Sequence, residues 1–395
     1  MGWRSSTLRK AEARSRRCPL REPYDIAIIG AGIVGAATAL RLAQTFPSRS
    51  VIVLERRDGP GLETSSASSG VIHSGLHLPP DSWKARLAQR GRTLVLDACT
   101  RYGVCMRHCG MHVVVSPRDA PHLIGEVSAL RELLRRARAQ GVEASVISPW
   151  RVRRNEPAVR ALLGIQIPDV TVIDVPTLVH ALAADAAEHG VTFRYRTVVD
   201  GVSILHDPYA LMTADGPIRA RVVVNAAGLG ATRIATLAGF SRHRVTLYRG
   251  EYYEVTDPAL RDTVHGLVYP VYRPGSPGLG IHLTKTVDGR LLIGPNARPI
   301  ARPEAINDDR TPPEAFFNAV HPFLPALRLE HLQFAHAGIR TKRDDGTPEP
   351  DFHIGLDREA PPFVNCIGIE SPGITASLAI AERIAELLRP VLRNT

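Results

Sequence analysis

Between Tyr24 and Glu55 the chain alternates between two kinds of apolar pattern. YDIAII at 24–29 is a continuous apolar run, the signature of a strand buried on both faces. Gly30, Gly32 and Gly35 follow at the G-x-G-x-x-G spacing, then an alanine- and leucine-rich segment with helical periodicity to Thr45, and a second β-type run at 50–54 that ends in Glu55. Strand, glycine turn, helix, strand and a terminal acid predict a dinucleotide-binding unit. Gly30 serves the tight turn, Gly32 the approach of backbone N–H groups to a pyrophosphate, and Gly35 close helix–sheet packing. Ile33 and Val34, within the glycine turn, are cofactor-binding candidates beside the positive end of a helix expected at Gly35 to Thr45, and Arg56 adjoins the ribose-binding acid. A carboxylate at Glu55 prefers an unphosphorylated adenosine ribose, as in FAD or NAD, over NADP.

The pattern then breaks into a Gly/Ser-rich loop, GPGLETSSASSGVIHSG, expected to surround a ligand through Ser66, Ser68, Ser69 and Gly70. Residues 87–102 and 120–140 carry helical periodicity with the β-type run Met111 to Val115 between them, and 175–188 reads as a helix that opens on Pro176. Strands are expected at 191–199, 203–205 and 211–213. RVVVNAAGLGA at 221–231 repeats the strand-to-glycine pattern and brings in Ala227 and Gly228, while Val198 or Val199 is the candidate to bracket the adenine, with an ordinary strand valine as the other reading. Alternating segments at 244–295, joined by Pro/Gly turns, predict a mostly antiparallel sheet suited to a substrate domain. The C-terminal stretch runs strand, Gly/Pro turn and long helix, whose N-terminus at Gly373, Ile374 and Thr375 can face an anionic group.

Length and composition add bounds. With 395 residues, 44% of them apolar, the chain can bury a large core and divides into two units. The expected division is a flexible basic tail at 1–22, a discontinuous nucleotide domain from 23–110, 150–240 and 335–395, and a substrate domain from 111–149 and 241–334. The formal charge of +10 does not argue for nucleic acid, because Arg4, Arg9, Lys10, Arg14, Arg16, Arg17 and Arg21, set against Glu12, leave only about +4 on the rest. That dilute excess suits anionic small molecules. The tail lacks the apolar centre of a secretory signal and faintly resembles a mitochondrial transit peptide. The five cysteines read as small core residues, with Cys105 and Cys109 able to share one helix turn, and no metal site is expected. No run of 18 apolar residues occurs, so a cytoplasmic location is expected, with peripheral membrane contact through the tail as an alternative and a mitochondrial one in a eukaryote.

With these segments in view, the chain resembles the FAD-dependent amino-acid-oxidase-like (DAO) oxidoreductases, and among them the L-2-hydroxyglutarate dehydrogenase/oxidase branch. The resemblance rests on SSGVIHSG at 68–75, RGEYYEV at 249–255, LVYPV at 267–271, LGIHLT at 279–284, DGRLLIGPNA at 288–297, AGIR at 337–340 and SPGITASLAIA at 371–381. Ala67 and Ser68 stand where the branch usually carries a His–Asn pair. The resemblance implies a Rossmann-like, glutathione-reductase-type FAD domain with an interleaved α+β substrate domain, an α/β fold overall. It makes FAD the cofactor, with Gly338 and Arg340 of AGIR near it.

The implied reaction is oxidation of an L-2-hydroxy acid, L-2-hydroxyglutarate first, to the 2-oxo acid. This requires a hydride to leave C2 for flavin N5 and a base for the hydroxyl proton. His73 and His282 are the candidate bases, since histidine titrates near working pH. His77, His112, His206, His243, His265 and His321 fall in no shared motif and are set aside. Arg249 is the expected bidentate carboxylate clamp with Tyr253 as hydroxyl donor, and Arg340 and Lys342 are second choices. Alternative readings are a related flavin enzyme acting on glycerol 3-phosphate or a small amine, and a flavin-binding assembly factor without turnover. Oxygen, a quinone or an electron-transfer protein could each serve as electron acceptor.

Overall fold

The structure, a computed structural model, describes residues 22–204, 208–271 and 280–393. The expected basic tail, Cys18 and His206 lie outside the described residues.

Tyr24–Ile29 is central to the first sheet. It pairs in parallel with Val51–Leu54 on one side and Ile218–Asn225 on the other. Gly201–Ile204 and Tyr209–Met212 extend the sheet beyond Ile218–Asn225, and Thr192–Arg194 extends it beyond Val51–Leu54. Pro362–Ile367 joins Ile218–Asn225 in parallel and carries His353–Glu359 antiparallel to itself. Alternation along Tyr24–Ile29 sends Ile26 and Ile28 into one core and Ala27 and Ile29 into another, so the apolar run is covered on both faces. The first core packs against helices Ile33–Thr45, Trp83–Tyr102, Val175–Glu188 and Gly373–Arg393; the second packs against Ala231–Leu237.

The second sheet runs Arg298–Ile300, Val245–Val255, Leu291–Gly294, His282–Lys285, Leu267–Pro270, Met111–Val115, Leu163–Ile167 and Ser145–Ile147. Leu332–Arg343 pairs with Val245–Val255 along its whole length, broken only by an irregularity at Tyr252/Tyr253. Most pairings are antiparallel, with Leu267–Pro270 against Met111–Val115 the parallel exception. Leu123–Ala139 closes one face and Pro313–Val320 the other. A three-stranded ribbon of Val71–Ile72, Thr171–Ile173 and Met106–His108 stands beside these sheets.

Local chemistry explains most element ends. Ser82 caps Trp83–Tyr102 by accepting from Ala85 N–H, so this helix starts four residues before the expected 87, and left-handed Gly103 ends it. Asp174 caps Val175–Glu188 by accepting from Thr177 N–H. The expected helix at 120–140 is Leu123–Ala139, after a 3₁₀ turn at Pro117–His122. The strand expected at 191–199 is only Thr192–Arg194, since Arg196 adopts a positive φ of 53°. The boundary expected at 150 falls inside the second sheet, because Leu163–Ile167 pairs with both Met111–Val115 and Ser145–Ile147. Cys105 and Cys109 do not share a helix turn. They flank strand Met106–His108, and Cys105 is exposed, while Cys99 and Cys366 are buried free thiols. Among the described residues no helix is long and apolar enough to cross a membrane.

The first glycine turn is held by contact as well as conformation. A Cβ on Gly30, at φ 102°, would stand 2.6 Å from the Ala226 carbonyl, and one on Gly35 would stand 2.0 Å from the Gly30 carbonyl. Gly35→Ala is therefore expected to destabilise the protein by ~3 kcal/mol and to release flavin. Gly216→Ala, at φ 104° with open space around it, should cost only ~1–2 kcal/mol. Thermal unfolding with quantitation of bound flavin checks both; equal losses would mean that conformation, not the close approach, sets the glycine requirement.

Candidate active site

The turn after Tyr24–Ile29 presents the features a dinucleotide needs. Glu55 is buried, and its carboxylate accepts from Ala31 N–H (2.8 Å) and from Arg57 N–H (2.8 Å), which fixes its orientation against the glycine turn and leaves lone pairs for a ribose. Helix Ile33–Thr45 begins at Gly32 with no capping side chain from that residue, and its first N–H, on Ile33, donates to Ser65 Oγ (3.0 Å). The other first-turn N–H groups, on Val34 and Gly35, have no acceptor within the helix by geometry. Val198 is 50% exposed and follows Thr197, whose N–H donates to the Glu55 carbonyl (2.8 Å), so an uncovered apolar side chain stands at the ribose-binding end of the turn.

Some of the expected loop residues have other work. Ser66 Oγ donates to the Glu63 carbonyl (3.0 Å) and Ser68 Oγ to the Ser65 carbonyl (2.9 Å), so these hydroxyls close their own turn, while Ser65, absent from the expected set, reaches the helix. Arg56 is committed to Glu63 (2.8 Å from Nε). Gly70, at φ 70°, lies where a Cβ would meet the Ile173 carbonyl at 2.3 Å, so strand pairing alone requires it. Ala227 and Gly228 follow a buried amide pair: Asn225 Nδ2 donates to Asn365 Oδ1 and to the Ala231 carbonyl (2.7 Å each), and Asn225 Oδ1 accepts from Ala227 N–H (3.3 Å). Gly338 faces Ala67, whose Cβ would lie 2.9 Å from a Cβ there; alanine, not histidine, is what this approach accommodates.

The two-residue period of the ladder between Val245–Val255 and Leu332–Arg343 decides which side chains meet. Tyr252, Gly250, His336, Gly338, Arg340 and Lys342 lie on one face, and a Cβ on Gly250 would stand 3.2 Å from an Arg340 guanidinium nitrogen. Arg249, Glu251 and Tyr253 lie on the other face. The expectation that Arg249 and Tyr253 bind substrate is therefore corrected. Arg249 is 1% exposed and donates to the carbonyls of Ala305 (3.1 Å), Asp308 and Asp309 (2.7 Å), with Glu251 at 3.4 Å. Its guanidinium pins the 303–309 segment. The Tyr253 hydroxyl donates to the Thr311 carbonyl (2.8 Å), and its ring packs on Phe316 and Phe334.

The face with Arg340 meets the histidines. His282 stacks on Tyr269 with centroids 3.8 Å apart, and His73 meets His77 edge-on at 5.4 Å. His73, His77 and Tyr269 line one cavity with Met111, Val113 and Leu133. The backbone N–H of His73 donates to Thr375 Oγ1 (3.1 Å), tying this loop to the N-terminus of Gly373–Arg393, and Ser371 Oγ lies 3.4 Å from His73 Nε2. Among the described residues the half-buried guanidinium of Arg340 has no hydrogen-bond or ion-pair partner, and neither does Lys342 two residues on. His77 was not legible as part of the site because no motif contains it; Tyr269 sits in LVYPV and Tyr252 beside Tyr253, but only the side-chain direction selects them.

Burial lowers all three histidines. His73 falls to about 4 through burial and then the Arg340 charge; His282 falls to about 3 chiefly through burial, against a raising contact from the Gly280 carbonyl; His77 falls to about 3 through burial and then its neighbour His73. Each is neutral at pH 7. His282 Nδ1 lies 2.8 Å from the Gly280 carbonyl, which can only accept, so the proton sits on Nδ1 and Nε2 is a bare acceptor. This is the tautomer of a general base.

The family model described as "FAD dependent oxidoreductase" matches residues 25–387, and the chain belongs to that family, with FAD as its cofactor. The glycine cradle, the carboxylate of Glu55 and the open helix start fit that group. Among curated relatives, L-2-hydroxyglutarate dehydrogenase of Escherichia coli strain K12 is 30% identical over 276 residues, 69% of this chain and 64% of its own length. The mitochondrial L-2-hydroxyglutarate dehydrogenase of Arabidopsis thaliana is 29% identical over 414 residues, 92% of this chain and 83% of its own length. The chain thus matches slightly less than two thirds of the bacterial relative. Among solved structures, the L-α-glycerophosphate oxidase of Mycoplasma pneumoniae with FAD bound superposes with a TM-score of 0.83 at 27% identity, over 93% of this chain and 95% of that one. The L-proline dehydrogenase of P. horikoshii shares the fold at a TM-score of 0.76 and 23% identity, over 94% of each chain.

Two outcomes follow. Arg249→Ala should cost ~3–5 kcal/mol by leaving Glu251 buried without its cation, whereas Arg340→Ala should stay within ~1 kcal/mol of the parent; chemical denaturation checks the pair. The three depressed histidines bind protons more readily in the unfolded chain, so their contribution to stability is fully present above about pH 6.5 and is lost as pH falls through about 4 for His73 and about 3 for His77 and His282. Replacing His282 with Asn should flatten that slope in urea titrations at stepped pH; an unchanged slope would show that His282 does not contribute.

Proposed function

We propose that the protein oxidises an L-2-hydroxy acid, L-2-hydroxyglutarate first among them, to the 2-oxo acid. The observation that carries this reading is a guanidinium, Arg340, unpartnered among the described residues and on the same sheet face as a neutral, oriented imidazole, His282. Bound FAD would supply the acceptor for the C2 hydride. Arg340 holds the substrate carboxylate, with Lys342 adding positive charge beside it and Tyr252 a hydroxyl. His282 takes the hydroxyl proton on Nε2 while Nδ1–H remains bonded to Gly280, and the Tyr269 ring keeps the imidazole in place. His73 borders the same space from the loop tied to Thr375. The neutral state of these imidazoles leaves Arg340 and Lys342 as the charges that attract an anion. The relatives named L-2-hydroxyglutarate dehydrogenase support the dicarboxylate as first choice.

A second reading, oxidation of glycerol 3-phosphate, is favoured by the similarity to the glycerophosphate oxidase and by the adjacent Arg340 and Lys342, which suit a phosphate.

Anaerobic addition of substrate to the purified yellow protein separates the two. Bleaching by L- but not D-2-hydroxyglutarate is the expected result; bleaching by glycerol 3-phosphate alone would favour the second reading and sink the first. His282→Ala should slow flavin reduction by ~10²–10⁴-fold while FAD stays bound. Arg340→Ala should weaken substrate binding by ~10–100-fold. Reduction by either variant at the parent's rate and substrate dependence would refute its assigned role.

A further inference from the structure

We propose that His243, His353 and Asp357 form a binding site for a divalent cation of the zinc type, outside the flavin site and independent of the substrate. His243 lies just before strand Val245–Val255 of the second sheet, while His353 and Asp357 lie on strand His353–Glu359 of the first. The three ligand atoms lie within 4.8 Å of one another. His243 Nε2 is 2.6 Å from Asp357 Oδ2, and His353 Nε2 is 3.1 and 3.2 Å from the two carboxylate oxygens. Their side chains are 6%, 23% and 4% exposed for His243, His353 and Asp357, so the site is sheltered with one imidazole open to solvent.

The backbone is shaped around this convergence. The pairing of His353–Glu359 with Pro362–Ile367 skips at Asp357, a bulge that redirects its side chain. Gly355 stands between the two ligands on the same strand, and a Cβ there would lie 2.9 Å from the His353 ring, so the missing side chain is what lets that imidazole turn toward Asp357. Two imidazole nitrogens and one carboxylate oxygen, completed by a water from the solvent side of His353, are the donor set that zinc, cobalt(II) or nickel(II) accepts. Bonds of about 2.0–2.1 Å place tetrahedral ligand atoms about 3.3 Å apart, so the His353–Asp357 pair needs almost no movement and His243 must withdraw by about 0.7 Å.

Besides the two histidines, Asp357 faces Asn365, Arg242 and the buried thiol of Cys366, which feels its charge. Asn365 Nδ2 donates to Oδ2 (2.8 Å) and Arg242, 62% exposed, donates to Oδ1 (2.6 Å). The Asp357 carboxylate thus sits at the centre of the cluster, hydrogen-bonded by Asn365 and facing both imidazoles. Asn365 in turn accepts from Asn225, which orients Ala227 at the second glycine turn. A cation here would clasp the crossover into the second sheet to the strand that supports this turn. The positive charge of Arg242 on Asp357 opposes it, which makes this residue diagnostic.

The test uses the FAD-loaded protein, treated with a chelator, dialysed, and titrated with cobalt(II) and then zinc(II). The expected result is one equivalent of cobalt giving d–d bands to the red of the flavin absorption, lost on adding zinc, and a zinc-dependent rise in Tm of ~2–5 °C at saturating metal. His353→Gln should abolish the bands, and the exposed substitution Arg242→Gln should tighten binding several-fold by removing a neighbouring positive charge. Absence of cobalt bands in the parent protein overturns the proposal and leaves a hydrogen-bonded His–Asp–His cluster. Bands that survive in His353→Gln, or affinity that falls in Arg242→Gln, overturn it equally.

Discussion

The long antiparallel ladder between Val245–Val255 and Leu332–Arg343 is the constraint on which the site depends. Its register pairs Gly250 with Gly338 and Tyr248 with Arg340, and because side chains alternate along a strand, that pairing divides neighbouring residues between two environments. One face holds Tyr252, His336, Arg340 and Lys342 toward the flavin domain. The other holds Arg249, Glu251 and Tyr253 against the 303–311 segment, where the terminal guanidinium nitrogens of Arg249 and the Tyr253 hydroxyl donate to backbone carbonyls and Glu251 accepts from Thr311. A slip of one residue would exchange the two sets and place the structural guanidinium in the cavity.

Electrostatics separates the roles of these two arginines. Arg249 is buried, and its charge is offset by Glu251 and by backbone carbonyls, which makes it a stapling group. Arg340 is half-buried without such partners among the described residues, close to imidazoles that burial keeps neutral. Positive charge in that space therefore resides on the side chains able to hold an anion, and the imidazoles remain free to accept a proton. The same logic reaches the first glycine turn, where the Glu55 carboxylate is oriented by two backbone N–H groups before any ribose arrives.

Much of the architecture was legible in the chain. The apolar run 24–29, the three glycines and Glu55 carry their meaning locally, because a turn, a close approach and a strand end each require particular residue types. The branch motifs brought His73, His282 and Arg340 into the candidate set. Legibility ended where a choice depended on direction. Arg249 and Tyr253 are next to residues of the site face and belong to the opposite one; Ser65 stands beside Ser66 and alone meets the helix start; His77 sits in no motif and is drawn in by its contact with His73.

By itself, then, the sequence determined that a dinucleotide unit follows Tyr24 and that a mostly antiparallel sheet comes later, because periodicity and glycine spacing act over a few residues; flavin as the dinucleotide came from the family resemblance. Only the tertiary structure decided that Arg340 rather than Arg249 faces His282, that burial makes the histidines neutral, and that His243 meets His353 and Asp357. Those outcomes depend on strand register, desolvation and contacts between residues separated by up to about three hundred positions, such as His73 with Thr375, and no local pattern encodes them.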